Sequence, residues 1–307
     1  YKSRFTVGVV AGSSVLGMLI PPSAMLIIYA IVTEQSIGQM FVAGIIPGIL
    51  LSIAFSILIL ILAYAVPSWV GGVEAKDVAN EDWAKMTFWV LIKKLFPIVL
   101  LISVVLGGIY GGIVTPVEAG AAGALTALII AVAKWAISWE ALWEVLVETG
   151  YIAATILFLI ITATMYNRML GVAGLPTQFG EWLTSMDLTI GQIMTLYVIL
   201  LLLLGTILDT ASIILIIVPL FLTALDSFGI DLVWFGIVTV VGAEIGLLTP
   251  PLGISCFVIK STINDPNISL FDIFTGAFPF AVTMLLTLII FINYPILSTY
   301  LLQFGLM

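Results

Sequence analysis

The chain has 307 residues, 62% of them hydrophobic and 8% charged, with a formal net charge of −8. Soluble domains carry roughly 25% charged residues, so the composition selects a bilayer protein, and nine Lys and Arg over this length form no nucleic-acid-binding patch. One cysteine, Cys256, and no histidine exclude an intrachain disulfide, thiolate metal clusters, H-E-x-x-H sites, Ser-His dyads and haem ligation by His; no enzyme is expected, although carboxylate chemistry survives the exclusion.

Lys2 and Arg4 precede an apolar run, as in a signal peptide, but the uncharged stretch from Phe5 to Thr33 contains Gly17-Met-Leu-Ile-Pro21-Pro22-Ser23. Each proline ring removes an amide donor and clashes with the preceding turn, and the residue before it leaves helical geometry. A helix must break there. Phe41 to Val66 is long enough for a full span, since the hydrocarbon core takes about 20 helical residues. Pro67 to Lys85 reads as a polar loop. Leu95 to Val117 is uncharged and is interrupted by paired glycines before Thr115-Pro116. Ala119 to Ala133 is rich in small residues that suit close helix packing in lipid.

From Trp135 to Thr149, Glu140, Glu144 and Glu148 share one helical face while Trp135, Trp139, Leu142 and Leu146 share another. That pattern predicts an amphipathic helix along the membrane surface. Tyr151 to Asn167 follows as a span ending at Arg168, whose commoner fate is to snorkel to the interface. Gly171 to Pro176 is a link, Gln178 to Thr184 a short segment, and Leu188 to Leu208 the next full span. Asp209-Thr210 then interrupts the apolar sequence ahead of Ala211 to Leu225. A second break, Gly246-Leu-Leu-Thr249-Pro250-Pro251-Leu252-Gly253, sits in the uncharged run from Ile245 to Ile259, and Ile273 to Met307 closes the chain without a charge.

The two breaks belong to matching blocks. Ser36 to Pro47 follows the first and Ile268 to Pro279 the second, with Gly44 and Gly276 each three residues before a proline; Phe5-Thr-Val-Gly8 and Phe235-Gly-Ile-Val238 open the runs into the breaks. Glycine and proline are frequent in membrane helices, but several landmarks coincide here in order. The reading is a duplicated unit of re-entrant or broken hairpin plus following span, inverted if an odd number of crossings separates the copies. The expected parts are residues 1–66 (second arm of a first hairpin and its span), 67–150 (polar loop, central spans, interfacial helix) and 151–307 (second repeat).

A broken helix frees carbonyls on one side and amides on the other, tolerated at membrane depth only in protein or beside a wet cavity. Carbonyls and hydroxyls suit a hard cation such as sodium, and half-helix N-termini attract anions. The substrate and ion candidates are therefore Gly12, Ser13, Ser14, Pro21 and Ser23 at the first break, Gly246, Thr249 and Pro250 at the second, and Thr115, Asp209 and Thr210 at the other interruptions. Sodium is expected at Ser13, Ser14, Gly246, Thr249 and neighbouring carbonyls. A carboxylate at Asp209 is either functional or an N-cap of the segment that follows. Glu118 is expected to cap a helix and Glu244 to be structural.

Five runs carry a family resemblance: G-x-L-I-P-P-S, T-E-Q-S-I-G, G-I-V-T-P-V-E-A-G-A, L-G-T-I-L-D-T, and F-G-I-V-x-V-V-x-x-E-I-G-L-L-T-P-P-L-G. In this order, over nearly the whole chain, they resemble the large membrane subunit of tripartite ATP-independent periplasmic (TRAP) transporters. The resemblance implies a multi-pass protein of the prokaryotic inner membrane with an elevator mechanism, in which a unit with two hairpins moves against a fixed scaffold, in keeping with the all-α reading and the internal repeat. It implies sodium-coupled uptake of a carboxylate-bearing organic anion, a small membrane subunit and a periplasmic solute-binding protein as partners, and sodium ions rather than an organic cofactor. It further implies N-terminal spans and a first hairpin arm ahead of Tyr1, so that a complete first sodium site is not expected from these residues alone. A single-chain sodium–dicarboxylate symporter of similar design is the alternative. An intramembrane aspartyl protease would need a second facing acid beside Asp209, and half-buried repeats with acidic caps do not specify a passive channel.

Overall fold

A computed structural model describes residues 1–71, 88–135, 137–263 and 265–304; the expected polar loop lies outside them from residue 72 onward. In chain order the helices are α1 Ser3–Ser14, α2 Leu16–Leu19, α3 Ala24–Thr33, α4 Ile37–Ala65, α5 Pro67–Val70, α6 Phe88–Tyr110, α7 Pro116–Ala133 and α8 Trp139–Val172. They continue as α9 Leu175–Ser185, α10 Ile190–Gly205, α11 Thr210–Ser227, α12 Leu232–Leu247, α13 Ile254–Thr262, α14 Leu270–Asn293 and α15 Ile296–Thr299, with a closing 3₁₀ turn, Tyr300–Phe304. The described residues contain no strand. Among them α4, α7, α8, α14 and Trp89–Tyr110 of α6 are long and apolar enough to cross a bilayer. The protein is an all-α, polytopic membrane protein.

Local chemistry sets the helix starts. Ser36, Thr115, Ser138, Thr189, Asp231 and Ser269 each accept a hydrogen bond from the amide three residues on, the N-cap arrangement that satisfies an orphan donor. Glu118 closes a capping box with Thr115, as Gln192 does with Thr189 and Asp272 with Ser269.

The chain divides into two units, Tyr1–Ala84 with Thr177–Leu306, and Lys85–Pro176. In the second, α6 and α7 pack where Gly123 meets Val105; a Cβ on Gly123 would lie 2.8 Å from the valine side chain. Here the structure also corrects an expectation. The interfacial segment and the span after it are one helix, α8, 34 residues long and so about 51 Å from end to end. Ser138 caps it, and Gly150, which lies between the two expected segments, is helical. One helix longer than the bilayer core carries its Trp- and Glu-rich first turns and its apolar remainder on a common axis.

In the first unit, α12 is the centre, with every residue from Val233 to Leu247 buried. A helix apolar on all sides belongs inside a bundle, and α3, α4, α10, α11 and α14 surround it. Contacts between elements are close because small residues permit it, as expected where lipid supplies no hydrophobic drive between helices. A Cβ on Gly8 of α1 would lie 2.2 Å from the Gly276 carbonyl oxygen of α14. At the end of that seam Arg4 pairs with Asp272, with Nε at 2.8 Å and Nη2 at 2.5 Å from Oδ1.

The first double-proline break bends the chain between Ser3–Leu19 and Ala24–Thr33 by 41° and does not reverse it. The reversal lies elsewhere. The full span expected from Leu188 to Leu208 is the 16-residue α10, about 24 Å long and short of the roughly 30 Å core. After a turn at residues 206–209, α11 folds back along it: Ile193 near the start of α10 clusters with Ala224 near the end of α11. Tyr197 stacks edge-on against Phe221 at 4.7 Å. The helical hairpin is thus α10–α11, with Asp209-Thr210 at its tip.

Spin-label accessibility measured residue by residue through residues 140–155 is expected to keep an unbroken period of about 3.6 residues. A phase jump at Gly150 would show two helices instead of α8.

Candidate functional site

The first break is self-contained. Ser23 caps α3 by accepting from the Leu26 amide at 3.3 Å, and its hydroxyl donates back to the Met18 carbonyl across the prolines. The peptide bond between Pro21 and Pro22 is cis, as is that between Pro250 and Pro251. Gly12 lets α1 lie against the Phe280 ring, which a Cβ would meet at 2.5 Å. Ser13 and Ser14 follow at the C-terminal end of α1, donating to the carbonyls of Val10 at 3.2 Å and Ala11 at 2.8 Å. Both hydroxyl oxygens keep lone pairs for another partner.

The second break meets the hairpin tip. The Gly253 amide donates to the Thr206 carbonyl at 3.2 Å, and the Thr210 hydroxyl donates to Oε1 of Glu244 at 2.7 Å. Between these bonds Gly205 and Gly246 are in backbone contact; a Cβ on Gly246 would lie 2.5 Å from the Gly205 Cα. Thr249 donates to the Gly246 carbonyl at 2.9 Å. Gly253 itself takes the left-handed conformation, φ 48°, as it opens α13, where a side chain would be strained.

Asp209 adopts the cap geometry that sequence had left open. Its carboxylate accepts from the amides of Ala211 at 3.1 Å and Ser212 at 3.3 Å and from the Ser212 hydroxyl. Asp209, Thr210, Gly246, Thr249 and Pro250 therefore gather around one tip-and-break junction. Thr115 sits in the other unit, capping α7 with Glu118.

Sequence reasoning passed over three members of this junction. Glu244, read as structural, is 2% exposed and directly bonded to the tip. A lone acid inside the apolar run from Leu232 to Ile259 was the available signal, because buried carboxylates in membranes are costly. Gly205 and Thr206 gave no such signal; only the return of α11 brings them to the break.

An α-helical bundle that buries a reversing hairpin against a broken helix, with released backbone groups, hydroxyls and a carboxylate at the junction, has the design of a membrane transport protein. The comparisons with known proteins are specific. Residues 1–297 match the family described as "Tripartite ATP-independent periplasmic transporter, DctM component", and the chain belongs to that family. It is 32% identical over 304 residues to the C4-dicarboxylate TRAP transporter large permease protein DctM of Pseudomonas aeruginosa, covering 97% of this chain and 67% of the relative. The DctM protein of Rhodobacter capsulatus is 30% identical over 315 residues, covering 97% and 68%. The sialic acid TRAP transporter large permease protein SiaM of Vibrio cholerae is 28% identical over 296 residues, covering 96% and 66%. The chain spans about two thirds of the length of these relatives. It is a TRAP transporter large permease subunit of the inner membrane.

Gly246→Ala is expected to force the α10–α12 contact apart, lowering stability in detergent by about 1–3 kcal/mol, as overpacking does. A thermal melt unchanged from the parent protein would contradict so close a contact.

Proposed function

We propose that this chain is the transport subunit of a sodium-driven importer of carboxylate-bearing organic anions. The observation that carries the reading is the junction itself: a hairpin tip laid against a helix break, both inside an apolar bundle. Its groups divide by charge preference. The carbonyls ahead of Pro250 and the Thr249 hydroxyl suit a hard cation such as sodium, and at the first break Ser13 and Ser14 offer similar oxygens. α13 begins at Gly253 with no side-chain cap and no acidic residue in its first turn, so its amides favour an anion. By contrast α3, α4, α7, α8, α10, α12 and α14 start with side-chain caps.

The relatives' names specify C4-dicarboxylates and sialic acid, both organic acids, in keeping with that polarity. On this reading a periplasmic solute-binding protein delivers the anion, a small membrane subunit completes the membrane part, and chemistry on the substrate is absent from the cycle. The repeat relates the α3–α4 segment to α13–α14: each follows a double proline, and α4 and α14 are capped by Ser36 and Ser269 and carry Pro47 and Pro279. On this reading the cycle is an elevator, in which the unit carrying the site moves against a fixed scaffold and exposes it to each side in turn.

Uptake of an organic acid by the full transporter in proteoliposomes, with its binding protein, is expected to require an inward sodium gradient. Equal uptake without sodium, driven by a proton gradient, would refute the coupling. Thr249→Val, which removes one oxygen ligand, is expected to raise the sodium concentration for half-maximal uptake several-fold, with Thr249→Ser near the parent value. A sodium response identical in the valine variant would remove Thr249 from the cation site.

A further inference from the structure

Glu244 stands apart from the cation groups just assigned, and its surroundings are unusual for a carboxylate. It is 2% exposed, and α3, α4, α10, α11 and α12 contain no lysine or arginine. Burying an acid without a basic partner is costly. Its oxygen Oε1 is held by the hydroxyl of Thr210, 3% exposed, at 2.7 Å. Asp209, beside Thr210, is turned inward on the amides of α11, so the tip's two polar residues have separate tasks: one caps the helix, the other docks it.

The docking has a second point. Thr206, at the other end of the tip, accepts from the Gly253 amide. Glu244 and Gly253 lie on opposite sides of Pro250-Pro251, and their partners Thr210 and Thr206 flank the turn at residues 206–209. Two hydrogen bonds thus bracket both the tip and the break, with the Gly205–Gly246 contact between them. Losing the Gly253 bond would leave two backbone groups unpaired, but no side-chain change can remove it. Glu244–Thr210 is the arm of the clamp that side-chain chemistry controls.

We infer that Glu244 is a positioning residue for ion coupling, which through Thr210 clamps the hairpin tip onto the second break and fixes the spacing of the Gly246–Thr249 oxygens. The inference rests on the sodium-coupled reading above. The donor is the hydroxyl and the acceptor the carboxylate, so Gln at 244 and Ser at 210 preserve the bond, whereas Leu and Val abolish it. Cys256, fully buried near the start of α13, reports on the same junction without any transport.

The test uses the full-length transporter in proteoliposomes, comparing Glu244→Gln, Glu244→Leu, Thr210→Ser, Thr210→Val and the Thr210→Val/Glu244→Leu double variant. Two readouts apply: sodium dependence of uptake, and the rate at which N-ethylmaleimide modifies Cys256, followed by mass spectrometry of its peptide. Glu244→Leu and Thr210→Val are each expected to raise the half-maximal sodium concentration about tenfold, the value of a hydrogen bond to a buried charged group. Maximal uptake is expected to change less than about twofold, and Cys256 to react faster by a similar factor of about ten. The Gln and Ser variants should stay near the parent, and the double variant should be no worse than either single one. A parental sodium response and parental labelling in Thr210→Val overturn the clamp, as does a Gln variant that behaves like Leu. If Glu244→Leu fails to fold, Thr210→Val and Glu244→Gln decide. If uptake proves independent of sodium in the parent protein, the coupling reading fails, and Cys256 labelling still tests the clamp by itself.

Discussion

A backbone polar group freed inside an apolar bundle has no water to turn to, and that constraint organises this molecule. Each double proline frees such groups, and the two breaks satisfy them by different means. At the first, Ser23 serves both sides, capping α3 and bonding the Met18 carbonyl, so the break closes on itself with a 41° bend. At the second, Gly253 cannot act as a side-chain cap, and its amide reaches another element, the tip at Thr206. One break is local and the other tertiary.

That difference explains why α10–α11 lies where it does. Its first arm, α10, is shorter than a full span, and its tip is packed in protein. Small residues at Gly205 and Gly246 admit it to the side of α12, Asp209 caps its returning arm, and Thr210 meets Glu244. α12 can then be buried on all sides while still carrying a carboxylate. The same logic of close approach joins α1 to α14 at Gly8 and Gly276, with Arg4 and Asp272 at the seam's end.

Much of this was legible in the residues and some was not. The double prolines, the Glu118 capping role and the family were readable because each depends on a few neighbouring residues, whereas Thr115, expected at the substrate or ion site, is a cap of α7. The full span expected from Leu188 to Leu208 proves to be the shorter α10 followed by a return, because an apolar run does not reveal where its helix ends and the chain reverses. The two segments expected from Trp135 to Thr149 and from Tyr151 to Asn167 run on as one helix for a related reason: a change from amphipathic to uniformly apolar pattern leaves helical hydrogen bonding intact.

By itself the sequence determined the class of protein, the places where helices must break, and the residue types available there, since proline, glycine and hydroxyl side chains act through bonds and sterics only a few residues long. Tertiary structure alone decided that the second break receives the tip of α10–α11, that Glu244 bonds Thr210 across 34 positions, and that Gly205 touches Gly246. Those contacts arise because a buried donor or acceptor takes whatever partner packing brings within reach, and no local pattern in the chain encodes which one that will be.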